Sequence, residues 1–201
     1  MFTLYSPCCT LASKTTRSVV ISRFLGGLLA FIICIVTATN GHASSQEVHP
    51  SREYQIRASL IFNFLQFVTW PPAETQMPTL HICVAGRDLF GSALSTLEQE
   101  IVQGRRIQVT RLVGNEEPHL EGCQVLVVNT QSVDVTPLLE AARQQSILTI
   151  GDSDDFLDKG GMISIVVEND KVVFDINRAS ATVARLDISS KLLRVARVVK
   201  G

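Results

Sequence analysis

Three short segments that are apolar almost from end to end constrain this 201-residue chain most. They are Leu80–Gly86 (LHICVAG), Gln124–Thr130 (QVLVVNT) and Ser146–Asp152 (SILTIGD). A strand with one wet face alternates polar and apolar residues, whereas an unbroken apolar run of this length is covered on both sides. A helical pattern, Val135–Gln145 (VTPLLEAARQQ), lies between the second and third runs, and Phe90–Val102 after the first run also reads as helix. Arg105–Val113 (RRIQVTRLV) alternates as a strand. Strands separated by helices predict an α/β fold, a single three-layer domain with a mostly parallel sheet, in a flavodoxin-like 2-1-3 order.

The elements at the two ends differ in kind. Residues Ile163–Glu168 (ISIVVE) and Lys171–Ile176 (KVVFDI) flank Asn169-Asp170, a pair suited to a two-residue hairpin turn. That turn places Val167 opposite Val172, Ile165 opposite Phe174 and Ile163 opposite Ile176, which gathers apolar side chains on one face. A C-terminal antiparallel hairpin is therefore expected to end the parallel sheet. Asn177 is placed to cap a helix over 178–184, and Ser189 or Ser190 a last helix over 191–199. Its cations Lys191, Arg194, Arg197 and Lys200 read as a solvated face, with contact to anionic lipid or an acidic partner as the alternative.

Near the start, Tyr54–Trp70 reads as a helix ended by Pro71-Pro72. Gln55, Ser59, Asn63 and Gln66 share a narrow polar stripe, and apolar residues cover most of the rest. That arc is wider than packing on one sheet requires, so a second apolar contact is expected, within the fold or across an interface. Asn63, Phe67 and Trp70 are the candidate partner-binding residues. Core packing is the competing role for the two aromatics.

The first 43 residues contain Lys14, Arg17 and Arg23, no acidic residue, and the apolar run Phe24–Thr39. The run is shorter than the roughly 20 residues that span a bilayer. Gly41 and Ala43 have the small-residue spacing of a signal-peptidase site, so residues 1–43 read as a signal peptide and 44–52 as a flexible tail. An uncleaved N-terminal anchor is the alternative. Removing three of the 18 Lys+Arg leaves 15 against 19 Asp+Glu, a net charge of −4, which argues against a nucleic-acid binder. Cys83 and Cys123 remain after cleavage, and an isolated pair in an oxidising compartment predicts a disulfide; two buried thiols are the alternative.

Catalytic chemistry is not legible. His81 and His119 lack metal-ligand spacing, no nucleophile elbow occurs, and no cofactor or metal site is expected. The glycine turn Gly86–Gly91 (GRDLFG) lacks both the P-loop lysine and the dinucleotide spacing. The acidic stretch Gly151–Gly161 (GDSDDFLDKGG) has Phe156 where a calcium loop needs an oxygen ligand. A small-ligand pocket at the C-terminal strand ends is the alternative to a purely binding surface, with Gly86, Arg87, Gly91, Asn129 and Asp152 converging there.

Taken in order, ASLIFNFLQFVTWP, HICVAGRDLFG, GRRIQV, CQVLVV, LTIGDSDDF, the GGMI hairpin, FDINRASA and ISSKLL resemble the YfiR-like family across residues 53–199. The resemblance implies an exported, non-enzymatic α/β domain that represses a membrane diguanylate cyclase or related sensor through its periplasmic part. The expected partner is an inner-membrane sensor protein with GGDEF or kinase output, with a homodimer also allowed. Family members carry a cysteine pair at the positions of Cys83 and Cys123. The alternative function is a periplasmic small-ligand-binding protein. The leader reading predicts a mature N-terminus near Ser44. Mass spectrometry of periplasmic extract tests it, and an intact Met1 in the membrane fraction would overturn it.

Overall fold

The computed structural model describes residues 51–112 and 119–201; the expected leader and most of the tail lie outside the described residues. Helix α1 (Arg52–Leu65) and the two-residue strand β1 (Val68–Thr69) come first, followed by the short helix α2 (Pro72–Thr75). Strand β2 (Thr79–Ala85) leads through α3 (Ser92–Ser95) and a 3-10 turn (Thr96–Gln99) to β3 (Ile101–Val102) and β4 (Arg105–Arg111). Next come β5 (Val125–Val128), α4 (Val135–Gln144), β6 (Leu148–Gly151), β7 (Ile163–Glu168) and β8 (Lys171–Asn177). The chain continues through α5 (Arg178–Val183), β9 (Asp187–Ile188), α6 (Ser190–Leu193) and β10 (Val199–Lys200).

The main sheet runs β10-β8-β7-β6-β5-β2-β4-β3. Pairings from β4 through β2, β5 and β6 to β7 are parallel, and β3 and β8 join antiparallel. The mixed α/β class with a mostly parallel sheet is thus the observed one, and β2 and β5 are neighbours. Alternation along the central strands explains the layers. Ile82, Val84, Val125, Val127, Leu148 and Ile150 face the core that contains Ile61, Phe64 and Leu65 of α1. Cys83, Ala85, Leu126 and Val128 face the other core, with Leu138, Leu139 and Ala142 of α4. Each strand therefore contributes to two interiors, which is why the sequence runs are apolar without a break.

The hairpin has the expected register throughout, from Ile163 opposite Ile176 to Glu168 opposite Lys171. Asn169 and Asp170 take φ of 49° and 60°, the left-handed pair that matches strand twist in a two-residue turn. Asn177 caps α5 by accepting from the Ser180 amide at 3.0 Å, and Asp134 caps α4 through the Thr136 amide.

Three element boundaries differ from expectation. Helix α1 stops at Leu65 rather than Trp70, because Gln66 and Phe67 close i→i−3 turns onto Asn63 and Phe64. Val68 and Thr69 then pair antiparallel with Ile188 and Asp187, a non-local contact that helical periodicity does not signal. Phe90–Val102 is not one helix but α3, a 3-10 turn and β3. The last helix is only Ser190–Leu193, capped by Ser189, and the chain beyond it becomes β10 along β8.

Arg197 explains that final turn away from helix. Its Nε donates to Asp175 at 2.9 Å and its Nη1 to Glu168 at 2.8 Å, while its backbone amide donates to Phe174. Contact with the Asp175 carboxylate raises the Arg197 pKa above its ordinary value. Lys200 pairs with Asp158. These two cations therefore fasten the C-terminal strand, in place of the solvated face expected of them; Lys191 and Arg194 are exposed.

The acidic stretch forms a turn around Phe156, which is completely buried. Its ring lies against Gly151 and Gly161, where an added Cβ would come within 2.4 and 2.2 Å of ring carbons. Both glycines are thus demanded by a close approach rather than by conformational freedom. Among the described residues no helix is long and apolar enough to cross a membrane.

Cys83 and Cys123 are bridged, with Cα atoms 5.9 Å apart. The bond ties β2 to the segment entering β5, on the α4 side of the sheet. Replacing both cysteines by serine is expected to lower stability by about 2–4 kcal/mol, read by denaturant unfolding with and without reductant. Two free thiols in the unfolded, non-reduced wild-type chain would contradict the bridge.

Candidate functional site

Two regions hold the residues singled out from the sequence, and both involve α1. The first lies at the C-terminal ends of β2, β5 and β6. Backbone geometry puts Arg87, Asn129 and Asp152 just beyond those strands, and all three line one cavity. Its remaining wall is mostly apolar, including Val84, Phe90, Val127, Ile150 and Ile165. Gly86 and Gly91 do not line it. Gly86, at φ 86°, instead sits against Ser132 and Asn129, and Gly91 turns the chain into α3. Asp88 Oδ1 accepts the amides of Phe90 and Gly91, which fixes the turn locally. These two glycines shape the loop and are not pocket residues.

Asp152 owes its position to β5. Its Oδ1 accepts from the Thr130 amide at 2.8 Å and hydroxyl at 2.7 Å, and its Oδ2 from Asn129 Nδ2 at 2.9 Å. Three donors on one carboxylate leave it as a structural clamp between the ends of β5 and β6. They also orient Asn129, because an inverted amide would aim its oxygen at a carboxylate. Asn129 Oδ1 is then left buried with no protein partner, at a cost of about 1–3 kcal/mol. Its residue is only 7% exposed.

The sequence reading missed the helix side of this cavity, Tyr54 and Arg57. Arg57 stands in the apolar arc of α1, and a lone cation at that place was the available signal. It is 6% exposed. Its Nη1 donates to the Ile165 carbonyl at 2.6 Å, its Nε and Nη2 reach Glu53, and its guanidinium lies over the Tyr54 ring. These contacts offset the burial of the charge. Tyr54 meets Phe90 edge-on at 5.2 Å, and burial raises the Tyr54 hydroxyl pKa.

The second region is the outer side of α1. Asn63 is exposed, Ile56 is 40% exposed, and with Arg52, Ser59 and Leu60 they line an open groove. Phe67 is half-buried and packs against the core. Trp70 is 2% exposed and donates from Nε1 to the Gln124 carbonyl at 3.2 Å. It is a core residue rather than a partner contact, because its side chain is enclosed by the sheet-side core. The wide apolar arc is largely spent inside the fold, on the sheet and on Phe90, Ala93 and Leu94.

Among the described residues no three His, Cys, Asp or Glu side chains are grouped to hold a metal. Taken together, these features define a small α/β domain with a disulfide-bridged, mostly parallel sheet and a helix packed over its strand ends. The family model of the YfiR/HmsC-like proteins matches residues 54–197, and the chain belongs to that family. No curated protein matches the sequence. Among solved structures, a conserved domain protein from Vibrio cholerae is similar at 14% identity and a TM-score of 0.48. An ABC domain in complex with L-Trp from Streptococcus pneumonia is similar at 10% identity and 0.49. Each likeness covers 73% of this chain and 60% of the other, so the chain spans less than two thirds of those proteins.

The core assignment of Trp70 predicts that Trp70→Ala lowers stability by about 3–5 kcal/mol, whereas Asn63→Ala changes it by less than about 0.5 kcal/mol. Chemical denaturation of the two variants checks this. Equal stabilities would contradict the burial of Trp70.

Proposed function

We propose that this chain is a non-enzymatic periplasmic regulator that represses a membrane-bound signalling protein, a diguanylate cyclase in the first instance, by binding its periplasmic sensor domain. Membership of the YfiR/HmsC-like family carries the reading. Such a regulator needs only a higher affinity for the partner's inactive conformation than for its active one. The exported leader expected from residues 1–43 supplies the compartment, and residues 53–199 form the acting domain. The outer face of α1 supplies the contact. Ile56, Leu60 and Asn63 present apolar surface beside a polar group, with half-buried Phe67 at the helix end.

A partner surface and a core residue respond differently to substitution. Ile56→Asp and Asn63→Arg alter exposed positions, so the protein should accumulate normally while repression is lost. Deletion of the gene is expected to raise cyclic-di-GMP and biofilm formation, and both variants to reproduce at least half of that rise. Cyclic-di-GMP quantified against periplasmic protein level provides the measurement. Unchanged cyclic-di-GMP after deletion, in a strain lacking other periplasmic repressors, would overturn the cyclase assignment and make a sensor kinase the next partner to test.

A further inference from the structure

The main sheet ends at β10 on one side and at β3 and β4 on the other, and the two edges are closed differently. An open edge offers its N–H and C=O groups to any other extended chain, so folded proteins cover it or charge it. On the β8 side, β10 provides the cover, fastened by the ion pairs of Arg197 and Lys200. On the other side, β3 pairs only with Arg105 and Arg106. Strand β4 runs on to Arg111, and among the described residues no strand lies beside Ile107–Arg111 there. Bonds to β2 use alternate amides, Arg106 and Leu112 among them, so the amides of Ile107, Val109 and Arg111 point outward. The Ile107 amide donates to the Glu100 carbonyl at 3.2 Å. The Val109 amide donates to a side chain instead, the Glu98 carboxylate, at 3.3 Å. Neighbouring contacts hold Glu98 in place. Leu97 beside it is buried, and the Arg111 guanidinium ties the far end of β4 to Gly91 and Ser95.

We propose that Glu98 keeps β4 from pairing with β4 of a second copy, and that the chain dimerises through this edge once the carboxylate is removed. The residues of the edge themselves fit such a pairing. An antiparallel pair with Val109 on the two-fold axis sets Val109 against Val109, Ile107 against Arg111 and Gln108 against Thr110. Val109 points outward, as a residue on that axis must in order to exchange both backbone bonds with its copy. No like charges oppose each other over Ile107–Arg111, and isoleucine, valine and threonine favour strands. Arg111 is already paired with Asp88. Glu98 is what the pairing cannot accommodate. Its carboxylate occupies the Val109 N–H that the second copy's carbonyl needs, and the two-fold brings it towards its own copy. Like charges confined at one interface repel and lose water, which suppresses that association. The contact draws on no residue of α1.

Sedimentation velocity of the purified chain over a concentration series compares wild type with Glu98→Ala and Glu98→Gln. Glu98→Ala removes both the acceptor and the charge, and should self-associate about tenfold or more tightly than wild type. Glu98→Gln keeps an acceptor for Val109 and loses only the charge, so its affinity should fall between the two. Amide hydrogen exchange locates the contact. In Glu98→Ala the Val109 amide should exchange faster than in wild type while the chain is dilute and monomeric, and slow down as it associates. Equal association of all three proteins would overturn the proposal. Association of Glu98→Ala that leaves Val109 exchange unchanged would place the contact on another surface and overturn it as well. Glu98→Gln retains the hydrogen bond and decides the matter even where Glu98→Ala fails to fold, since association no tighter than wild type then overturns the proposal.

Discussion

Burial of β2, β5 and β6 on both faces is the constraint from which most of this structure follows. A parallel strand whose alternate residues enter two different cores cannot be left with a wet side, so helices must close both faces. Helix α1 covers one with Ile61, Phe64 and Leu65, and α4 covers the other with Leu138, Leu139 and Ala142. The requirement extends to irregular segments. Phe156 fills the end of the α4 core only because Gly151 and Gly161 lack side chains where its ring lies. The Cys83–Cys123 bridge ties β2 to the segment entering β5 on the same side, fastening the layer that has the smaller apolar cluster.

That packing leaves polar atoms or apolar surface over in two places. At the strand ends, the clamp in which Asp152 accepts from Asn129 and Thr130 orders the ends of β5 and β6 and leaves Asn129 Oδ1 buried without a protein partner. On α1, the inner residues are committed to the core, Leu60 is half-buried against it, and Ile56 and Asn63 remain exposed beside it. Arg57 links the two places. It is anchored to Glu53 on its own helix and to Ile165 of β7, which fixes the helix against the sheet.

Local patterns revealed the elements whose cause is local. The hairpin register was readable because Asn169-Asp170 admits the turn and a one-residue slip would send Ile163, Ile165 and Phe174 to the wrong face. The central strands were readable because double-sided burial leaves an unmistakable run of apolar residues. What escaped depends on partners distant in sequence. The pairing of Val68 with Ile188 draws the chain out of α1, and Asp175 draws Arg197 out of the last helix. Both segments have acceptable helical periodicity, which says nothing about a competing strand or ion pair elsewhere. In the candidate site, Arg87, Asn129 and Asp152 were legible as ends of parallel strands. Tyr54 and Arg57 were not, because their place depends on how α1 crosses the sheet.

The central claim is that the outer face of α1 engages a membrane signalling protein. Site-specific photocrosslinking in living cells tests it most directly, with the photoreactive residue at position 63 and, as a control, at position 171 on the hairpin tip. The account predicts that position 63 yields an adduct with one inner-membrane protein bearing GGDEF or kinase output, and that position 171 does not. Absence of such an adduct at position 63, in cells where the chain still represses signalling, would contradict it.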